Sequence, residues 1–339
     1  MAILNLRADG LHILDKDLRH LCWLLVDLNK KREPHAAVFA SLAREFVLPF
    51  LAVTFRSASE SPVAAGLNHI SAISECGRLL SFGALSQTDM PDIGPVVAVA
   101  AGDFHACAVT ASGDLVCSGS NKGGQCDVPP DLGPVSVVAA GAYHTCALTQ
   151  AGKLVCFGSN YCGQCDVPTD LAPVVAVAAG NSHTCALTEG GKLVCFGSNH
   201  HGQCDVPPTL GPVVAVAAGV YHTCAVTATG ELVCFGSNEH GQCDVPADLG
   251  PVVAVAAGFR DTCAVTASGE LVCMGPSAGQ HNVPTDLGPV VAVAAGFRHT
   301  CAVTAGGKLV CFGENQDGQP SPVKVQVALP RHALQGSVC

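Results

Sequence analysis

Cysteine is the residue type that most clearly suggests chemistry in this sequence, because its regular spacing could allow disulfide bonds. The chain contains 20 cysteines, and six pairs of them lie ten residues apart. Each pair flanks a turn that ends in glycine, such as residues 111–113, and this is typical of a three-residue hairpin loop. Such a loop places the paired cysteines opposite each other on adjacent strands, within disulfide reach. The pairs are Cys107/Cys117, Cys146/Cys156, Cys185/Cys195, Cys224/Cys234, Cys263/Cys273 and Cys301/Cys311.

Three chemical states fit these pairs: a cross-strand disulfide, two buried thiols, or part of a zinc site. Both positions are serine in the first copy, at Ser71 and Ser81, so the pair is lost together. A His-x-Cys…Cys set could offer three zinc ligands, but many identical zinc sites in one array are unexpected, and Asp261 breaks the set. We therefore predict no metal. The choice between disulfide and thiol stays open, and the absence of a secretory signal favours thiols in a reducing cytosol.

A histidine in the pair His-Thr also recurs along the chain. A catalytic or metal-binding residue is usually needed once, so a histidine that returns in nearly every copy is expected to stabilise a turn. No single Ser-His-Asp set differs from this repeated background. We therefore predict no catalytic residue, no cofactor and no enzyme activity. The recurring histidines are His69, His105, His144, His183, His222 and His299, with Asp261 in the remaining copy.

These residues are positioned by a repeat of about 39 residues, which starts after residue 60. The unit reads GPVVAVAAGxxHTCAVTxxGxLVCFGSNxxGQCDVP, and a period near 40 indicates a solenoid or a propeller. Its strand-forming runs, without helical periodicity, favour a propeller. The anchoring glycines are Gly66, Gly102, Gly141, Gly180, Gly219, Gly258 and Gly296.

Each unit is predicted to form four short strands, which in the second copy are Val96–Ala101, His105–Thr110, 115–118 and 126–128. The sequence thus predicts an all-β, seven-bladed β-propeller over residues 61–330, followed by a tail over residues 331–339. A spare strand at 323–328 is expected to pair into the first blade and close the ring, which hides exposed sheet edges.

Residues 1–60 are predicted to be a separate, mainly helical segment of unknown role. Apolar residues share one helical face over 17–29, and a second helix is expected over 34–48, between two prolines.

The motifs Ala-Ala-Gly-x-x-His-Thr and Gly-x-Leu-Val-Cys-Phe-Gly-Ser-Asn-x-x-Gly-Gln resemble the repeat of the regulator of chromosome condensation superfamily, over residues 62–329. The Gly-Gln-x-x-Val-Pro ending most resembles the bacterial β-lactamase-inhibitory branch. The resemblance implies a propeller, while functions in the superfamily differ widely. A photoreceptor function is excluded, because it needs propeller tryptophans and the only tryptophan, Trp23, precedes the repeats. Ubiquitin ligase members need a separate catalytic domain, for which this chain has no room.

Charge narrows the choice of partner. Residues 61–339 contain nine Lys or Arg against twenty Asp or Glu, and this acidic balance argues against nucleic acid. No apolar stretch free of Gly and Pro reaches membrane length. We expect a soluble, monomeric, cytoplasmic protein, with a nuclear location as the other option, that binds neither a membrane nor nucleic acid.

The repeat varies at two pairs of positions that a blade would present on one face: the x-x of Gly-x-x-His and the x-x of Ser-Asn-x-x-Gly. Aromatic and arginine side chains carry much interface energy, so these positions are the predicted partner-binding site. Packing against neighbouring blades is the alternative explanation for them. The predicted residues are Phe104, Tyr143, Tyr221, Phe259, Arg260, Phe297 and Arg298 at the first pair, and Tyr161, His200, His201, Glu239 and His240 at the second.

The expected function is therefore a non-catalytic protein–protein interaction propeller, either a scaffold or an inhibitor. The resemblance leaves one alternative of another class, a guanine-nucleotide exchange factor acting on a small GTPase. Uniform blades and an acidic surface fit that alternative less well, because the exchange factor uses non-uniform loops and a basic surface. A purely structural repeat array is the third option.

Overall fold

The computed structural model describes residues 61–83, 93–276, 283–313 and 325–327. The helices expected within residues 1–60 and the tail at 331–339 lie outside these ranges, so those predictions and the domain boundaries drawn there are untested. Within the described part of the chain, no helix is long and apolar enough to cross a membrane.

The described chain forms seven antiparallel sheets, which we number as blades one to seven in chain order. Each blade contains three consecutive strands, and blade seven gains a fourth from the end of the chain. Val, Ala and Thr dominate these strands and suit a pleated, closely packed sheet. The strands are β1 Val63–Ala65, β2 His69–Ile73, β3 Leu79–Gly83, β4 Val96–Ala101, β5 His105–Thr110, β6 Leu115–Gly119, β7 Val135–Ala140, β8 His144–Thr149, β9 Leu154–Gly158, β10 Val174–Ala179, β11 His183–Thr188, β12 Leu193–Gly197, β13 Val213–Ala218, β14 His222–Thr227, β15 Leu232–Gly236, β16 Val252–Ala257, β17 Thr262–Thr266, β18 Leu271–Met274, β19 Val290–Ala295, β20 His299–Thr304, β21 Lys308–Gly313 and β22 Val325–Gln326.

The predicted fourth strand at 126–128 is wrong, because this segment is a turn. The amide of Asp127 donates to the carbonyl of Gly124 at 3.1 Å, and that of Val128 donates to Cys126 at 2.9 Å. The amide of Cys126 donates to Oδ1 of Asn121 at 2.8 Å. These local bonds use the amides that a strand would offer to its neighbour.

A ring of seven glycines shows that the blades close on themselves. At each glycine, an added Cβ would overlap the carbonyl oxygen of the glycine in the next blade, and Gly296 meets Gly66 in the same way. The first strands of all blades therefore line a narrow central channel, and the predicted count of seven blades is confirmed. The ring runs through Gly66, Gly102, Gly141, Gly180, Gly219, Gly258 and Gly296.

The core lies mainly between adjacent blades. The middle strand of each blade is buried along its length, as in β5 and β8. Val109 of blade two packs in one cluster with Val138 and Ala147 of blade three. Small side chains recur here because the flat faces of adjacent sheets must approach closely.

The C-terminal strand closes the ring, but not by the predicted pairing. β22 pairs with β21 of blade seven, with Lys308 opposite Gln326, rather than forming a strand of blade one. The next residue, Val327, forms a single bridge to Ser74 of blade one. Its amide donates to the carbonyl of Gly307 at 3.0 Å, and its side chain is fully buried. The last strand thus completes blade seven first and then joins it to blade one.

Candidate protein-binding face

Four of the six recurring histidines join one blade to the next. Nε2 of His105 lies 2.8 Å from Oγ1 of Thr145 in the following blade. That hydroxyl donates to the carbonyl of Gln125 at 2.8 Å, so its oxygen accepts the proton of His105. The predicted stabilising bond therefore exists, but it links two blades instead of holding one turn. The same contact joins His144 to Thr184, His183 to Thr223 and His222 to Thr262 at 2.9–3.0 Å.

Burial lowers the pKa of three of the six recurring histidines. Burial, with smaller contributions from His144 and His69, lowers the pKa of His105 to about 3. Burial also lowers the pKa of His69 and of His299 to about 4. A neutral imidazole can carry its one proton on Nε2, and the contact of His105 with Thr145 uses that proton, so His105 has a structural role.

Asp261 interrupts this histidine ring in blade six. Its side chain is fully buried, and neither carboxylate oxygen has a hydrogen-bond partner among the described residues. Burial raises the pKa of Asp261 to about 7, against a smaller opposite effect of His222. Blade six therefore lacks the contact with the next blade that His105, His144, His183 and His222 make in blades two to five.

The cysteines of all six pairs face each other across adjacent strands, as predicted. Three pairs are disulfide-bonded: Cys107–Cys117, Cys263–Cys273 and Cys301–Cys311. The other three pairs are thiols, and Sγ of Cys156 lies 2.6 Å from Sγ of Cys146. In the described ranges, no cluster of three or more His, Cys, Asp or Glu side chains is arranged to hold a metal ion.

The two kinds of variable loop lie on one face of the propeller, as the sequence predicted. The ring of His201, in the loop after β12, lies 4.7 Å from the ring of Tyr221, in the first turn of the next blade. We call this side the loop face. The β-hairpin turns at the other end of the strands, such as residues 111–114, form the opposite face, which we call the hairpin face.

The predicted aromatic ring is in fact two concentric sets of residues. The first residue of each variable turn in blades two to seven lines the mouth of the channel, and this set includes Phe259 and Phe297. The second residue of the turn lies outside the mouth, where Phe104, Tyr143 and Tyr221 are each about two-fifths exposed (37%, 40% and 38%). Sequence reasoning missed this division because it treated two successive turn residues as equivalent.

Aromatic contacts join the two sets into separate groups. Phe104 and Tyr143 form a pair with ring centroids 5.3 Å apart. Tyr221 lies 6.1 Å from Phe259, which stacks on Phe297 at 4.3 Å. Blade four has Asn181 and Ser182 at these positions and interrupts the aromatic surface. The site is therefore two aromatic patches on one face, rather than a continuous ring.

Both arginines of the predicted site lie over aromatic rings. The guanidinium carbon of Arg260 is 4.6 Å from the Phe259 centroid, and that of Arg298 is 5.4 Å from the Phe297 centroid. Both arginine side chains are exposed, while both phenylalanines are half-buried. These are cation–π contacts that hold each guanidinium in a defined orientation.

The second variable loops are held in place by a buried glutamine that the site prediction did not include. Oε1 of Gln203 accepts from the amide of His201, and Oε1 of Gln242 accepts from the amide of His240, each at 2.9 Å. The signal was available, since Gly-Gln recurs at a fixed place. On these loops Tyr161 is 97% exposed, His200 and Glu239 are exposed, and His240 is half-buried.

The channel encloses about 150 Å³ and is lined mainly by Val, Ala and Gly of the first strands. Asp103 is the one charged side chain among its lining residues. Burial raises the pKa of Asp103. Among the described residues that line the channel, no second titratable side chain accompanies Asp103.

The repeats match a known family model, and the fold matches solved propellers. The regulator of chromosome condensation (RCC1) repeat matches residues 96–125, 135–164, 174–203, 213–242 and 290–319. The CRINKLY WD40 ectodomain of the Arabidopsis thaliana receptor kinase ACR4 is 22% identical, with a TM-score of 0.65, 79% of this chain covered and 98% of that one. No curated protein sequence matched the chain.

Two further structures share this fold. The ectodomain of the Physcomitrella patens receptor kinase CR4 is 23% identical, with a TM-score of 0.64, over 77% of this chain and 74% of that one. Yeast RCC1 (Prp20), in its structure with Kap60, is 19% identical, with a TM-score of 0.61, over 80% of this chain and 85% of that one. The RCC1 repeat thus matches five of the seven blades, and the chain shares its fold with these solved structures.

Proposed function

We propose that this propeller is a non-catalytic protein-binding module, acting as a scaffold or an inhibitor, that holds its partner on the loop face. One observation carries the proposal: the aromatic side chains at the variable positions gather on one face and stay partly exposed. Phe104, Tyr143 and Tyr221 each keep more than a third of their surface in solvent although each contacts a neighbouring ring.

The division of labour within the repeat supports this proposal. The constant histidine, threonine and glycine residues form contacts between blades. The fold therefore does not depend on large apolar side chains in the variable turns. Exposed aromatic side chains lower the solubility of a protein unless another molecule covers them. Aromatic side chains also contribute much of the binding free energy at protein interfaces, so a partner protein is the expected cover. Packing between blades alone leaves their exposed surface unexplained.

The inhibitor form of the proposal draws on the resemblance to the β-lactamase-inhibitory branch, and the scaffold form needs only a stable face. We further propose a monomer that works in the cytoplasm or the nucleus, without binding membrane or nucleic acid. The acidic balance of residues 61–339 supports the last point.

The alternative is regulation of a small GTPase by nucleotide exchange. It rests on likeness of fold to Prp20p of Saccharomyces cerevisiae, whose structure was described with its binding to Gsp1p and histones and which is 19% identical. Release of a fluorescent guanine nucleotide from purified small GTPases separates the two proposals. A binding module leaves the release rate unchanged, whereas an exchange factor accelerates it.

Affinity capture with matched variants tests the proposed function. The triple variant Tyr143→Ala, Tyr221→Ala, Phe259→Ala removes aromatic surface from both patches of the loop face. The control, Lys153→Ala, Glu189→Ala, Glu231→Ala, changes exposed residues at hairpin turns on the hairpin face. We expect wild type and the control variant to capture a protein that the triple variant does not capture. The triple variant should have the same melting temperature as wild type. Equal retention of that partner by the triple variant would refute the proposal.

A further inference from the structure

The contact between blades six and seven brings two aromatic rings and two arginines together on the loop face. Phe259 and Phe297 are stacked with an interplanar angle of 25°. Arg260 lies over the Phe259 ring, and Arg298 lies over the Phe297 ring. This is the one place among the described residues where guanidinium groups of adjacent blades rest on a shared aromatic stack.

The contact with Phe259 holds the guanidinium of Arg260 in an orientation that suits ligand binding. A guanidinium that lies over a ring uses its face for that contact, and its N–H donors then point outward in a fixed fork. Among the described residues, Arg260 makes no ion pair with an acidic side chain, although the protein as a whole is acidic. Its side chain is exposed, so its donors can reach a ligand.

The distribution of charge on the loop face favours an acidic ligand at this place. In blades two to five an exposed aspartate follows the Gly-Gln motif of the second loop, and blade six has Asn282 in the same sequence position. An acidic ligand would be repelled over those four blades and attracted at Arg260. The four aspartates are Asp127, Asp166, Asp205 and Asp244.

We propose that Arg260, on the Phe259–Phe297 stack, binds an acidic segment of the protein partner, in which an aspartate or glutamate pairs with the guanidinium. This inference rests on the proposed function and specifies the chemistry of the partner. The carboxylate matches the guanidinium fork in a bidentate geometry, and the rim of the aromatic stack accepts the apolar part of the same segment. Arg298, over the other ring of the stack, adds a second positive charge to this contact between blades.

A peptide selection tests this without knowing the partner. Random dodecapeptides displayed on phage are selected in parallel on the full chain of wild type, Arg260→Gln and Arg78→Gln. Arg78 is an exposed arginine of a hairpin turn on the hairpin face, so its variant is the matched control. We expect Asp and Glu to be enriched in peptides selected on wild type and on Arg78→Gln, and the enrichment to disappear on Arg260→Gln.

Binding of one enriched synthetic peptide, followed by fluorescence anisotropy, gives the magnitude. Arg260→Gln should weaken binding at least about tenfold, while Arg78→Gln changes it less than about twofold. The charge-reversed variant Arg260→Glu should prefer the same peptide with its acidic residue changed to lysine. That reversal would show a direct charge contact, which a merely structural effect of the substitution cannot produce.

Other outcomes separate this inference from the proposed function. Peptides that need Tyr143, Tyr221 and Phe259 but show no acidic enrichment, or bind Arg260→Gln equally well, overturn the inference and leave the binding face intact. Acidic peptides that still bind the triple aromatic variant argue against the proposed face itself. A selection without any acidic enrichment, or an Arg260-dependent affinity for a single-stranded oligonucleotide in place of peptide, also overturns the inference.

Discussion

Nε2 of His144 lies 3.0 Å from Oγ1 of Thr184 in the next blade, and the Thr184 hydroxyl donates to the carbonyl of Gln164 at 2.8 Å. Four contacts between neighbouring blades, from blade two to blade six, contain such a short chain of hydrogen bonds, which leaves one blade and returns to it. All three residues are fully or almost fully buried. Constant residues of the repeat therefore help to hold these blades together, and the side chains of the variable turn residues can differ from blade to blade.

Removing one histidine should weaken the propeller measurably. His183→Ala leaves Oγ1 of Thr223 without its donor and opens a small cavity. We expect a loss of about 1–3 kcal/mol in the free energy of unfolding, measured by urea titration. His200→Ala, which changes an exposed loop histidine, should leave the midpoint unchanged. Equal stability of His183→Ala and wild type would show that the bond between blades contributes nothing.

Asp261 should make stability depend on pH between about 4 and 7. Its pKa is raised from 3.8 to about 7, so in this range the unfolded chain is ionised while the folded carboxyl stays protonated. The protonated Asp261 carboxyl makes its full contribution to the stability of the folded protein at low pH. This contribution is lost as the pH rises towards 7. The lowered pKa values of His69, His105 and His299 change stability in the opposite direction, and they do so equally in wild type and in the variant described next.

The variant Asp261→Asn cannot ionise and should escape this loss. We expect its advantage over wild type to grow from pH 5 to pH 7 and then level off, reaching about 1–3 kcal/mol in urea unfolding. A constant difference between the two proteins across this pH range would mean that Asp261 does not titrate in the folded state.

The architecture is the part that the sequence predicted best. The spacing of Gly66 and its six equivalents predicted the number of blades, because each glycine solves the same close contact with its neighbour. The predicted fourth strand failed because Asn121 and Gly124 bind amides that a strand would need, and strand propensity does not report such local competition. The C-terminal strand was expected to pair with blade one. It pairs instead with β21, whose outer edge in blade seven has no other partner strand among the described residues.

The candidate site was predicted less completely. The sequence predicted the candidate residues from variation within a uniform repeat, which marks positions that the common blade architecture does not fix. It could not show that Phe259 lines the channel mouth while Tyr221 lies outside it, because that depends on the direction of each turn residue. Nor could it show the stacking of Arg260 on Phe259, which arises only when blades six and seven meet.

The glycine ring can be tested with a pair of alanine variants. At Gly141 a Cβ would overlap both the His144 ring and the carbonyl oxygen of Gly180, which is backbone and cannot easily move. We expect Gly141→Ala to lower the free energy of unfolding by about 1–3 kcal/mol or more. At Gly211 no atom lies within 4 Å of an added Cβ, so Gly211→Ala should remain within about 1 kcal/mol of wild type. Thermal unfolding of both variants decides, and an unaffected Gly141→Ala would contradict the close contact.

Alkylation should separate the cysteines by exposure. Cys76 and Cys162 are exposed, and a hydrogen bond from Ser74 lowers the pKa of Cys76, which favours its reactive thiolate. We expect mass spectrometry of the briefly treated native protein to find labels there, and Cys224 to stay unlabelled because it is fully buried. After denaturation without reductant, Cys263 should remain protected by its bond to Cys273. Rapid native labelling of Cys224 would contradict the closed blade structure.

The most direct test of the division between architecture and recognition is amide hydrogen exchange of the propeller with and without its captured partner. We predict that the partner slows exchange at the turns of the loop face, above all at residues 220–221, 259–260 and 297–298. Exchange at the hairpin turns, such as 111–114 and 189–192, should not change. Protection confined to the hairpin face, or spread evenly over both faces, would contradict the account.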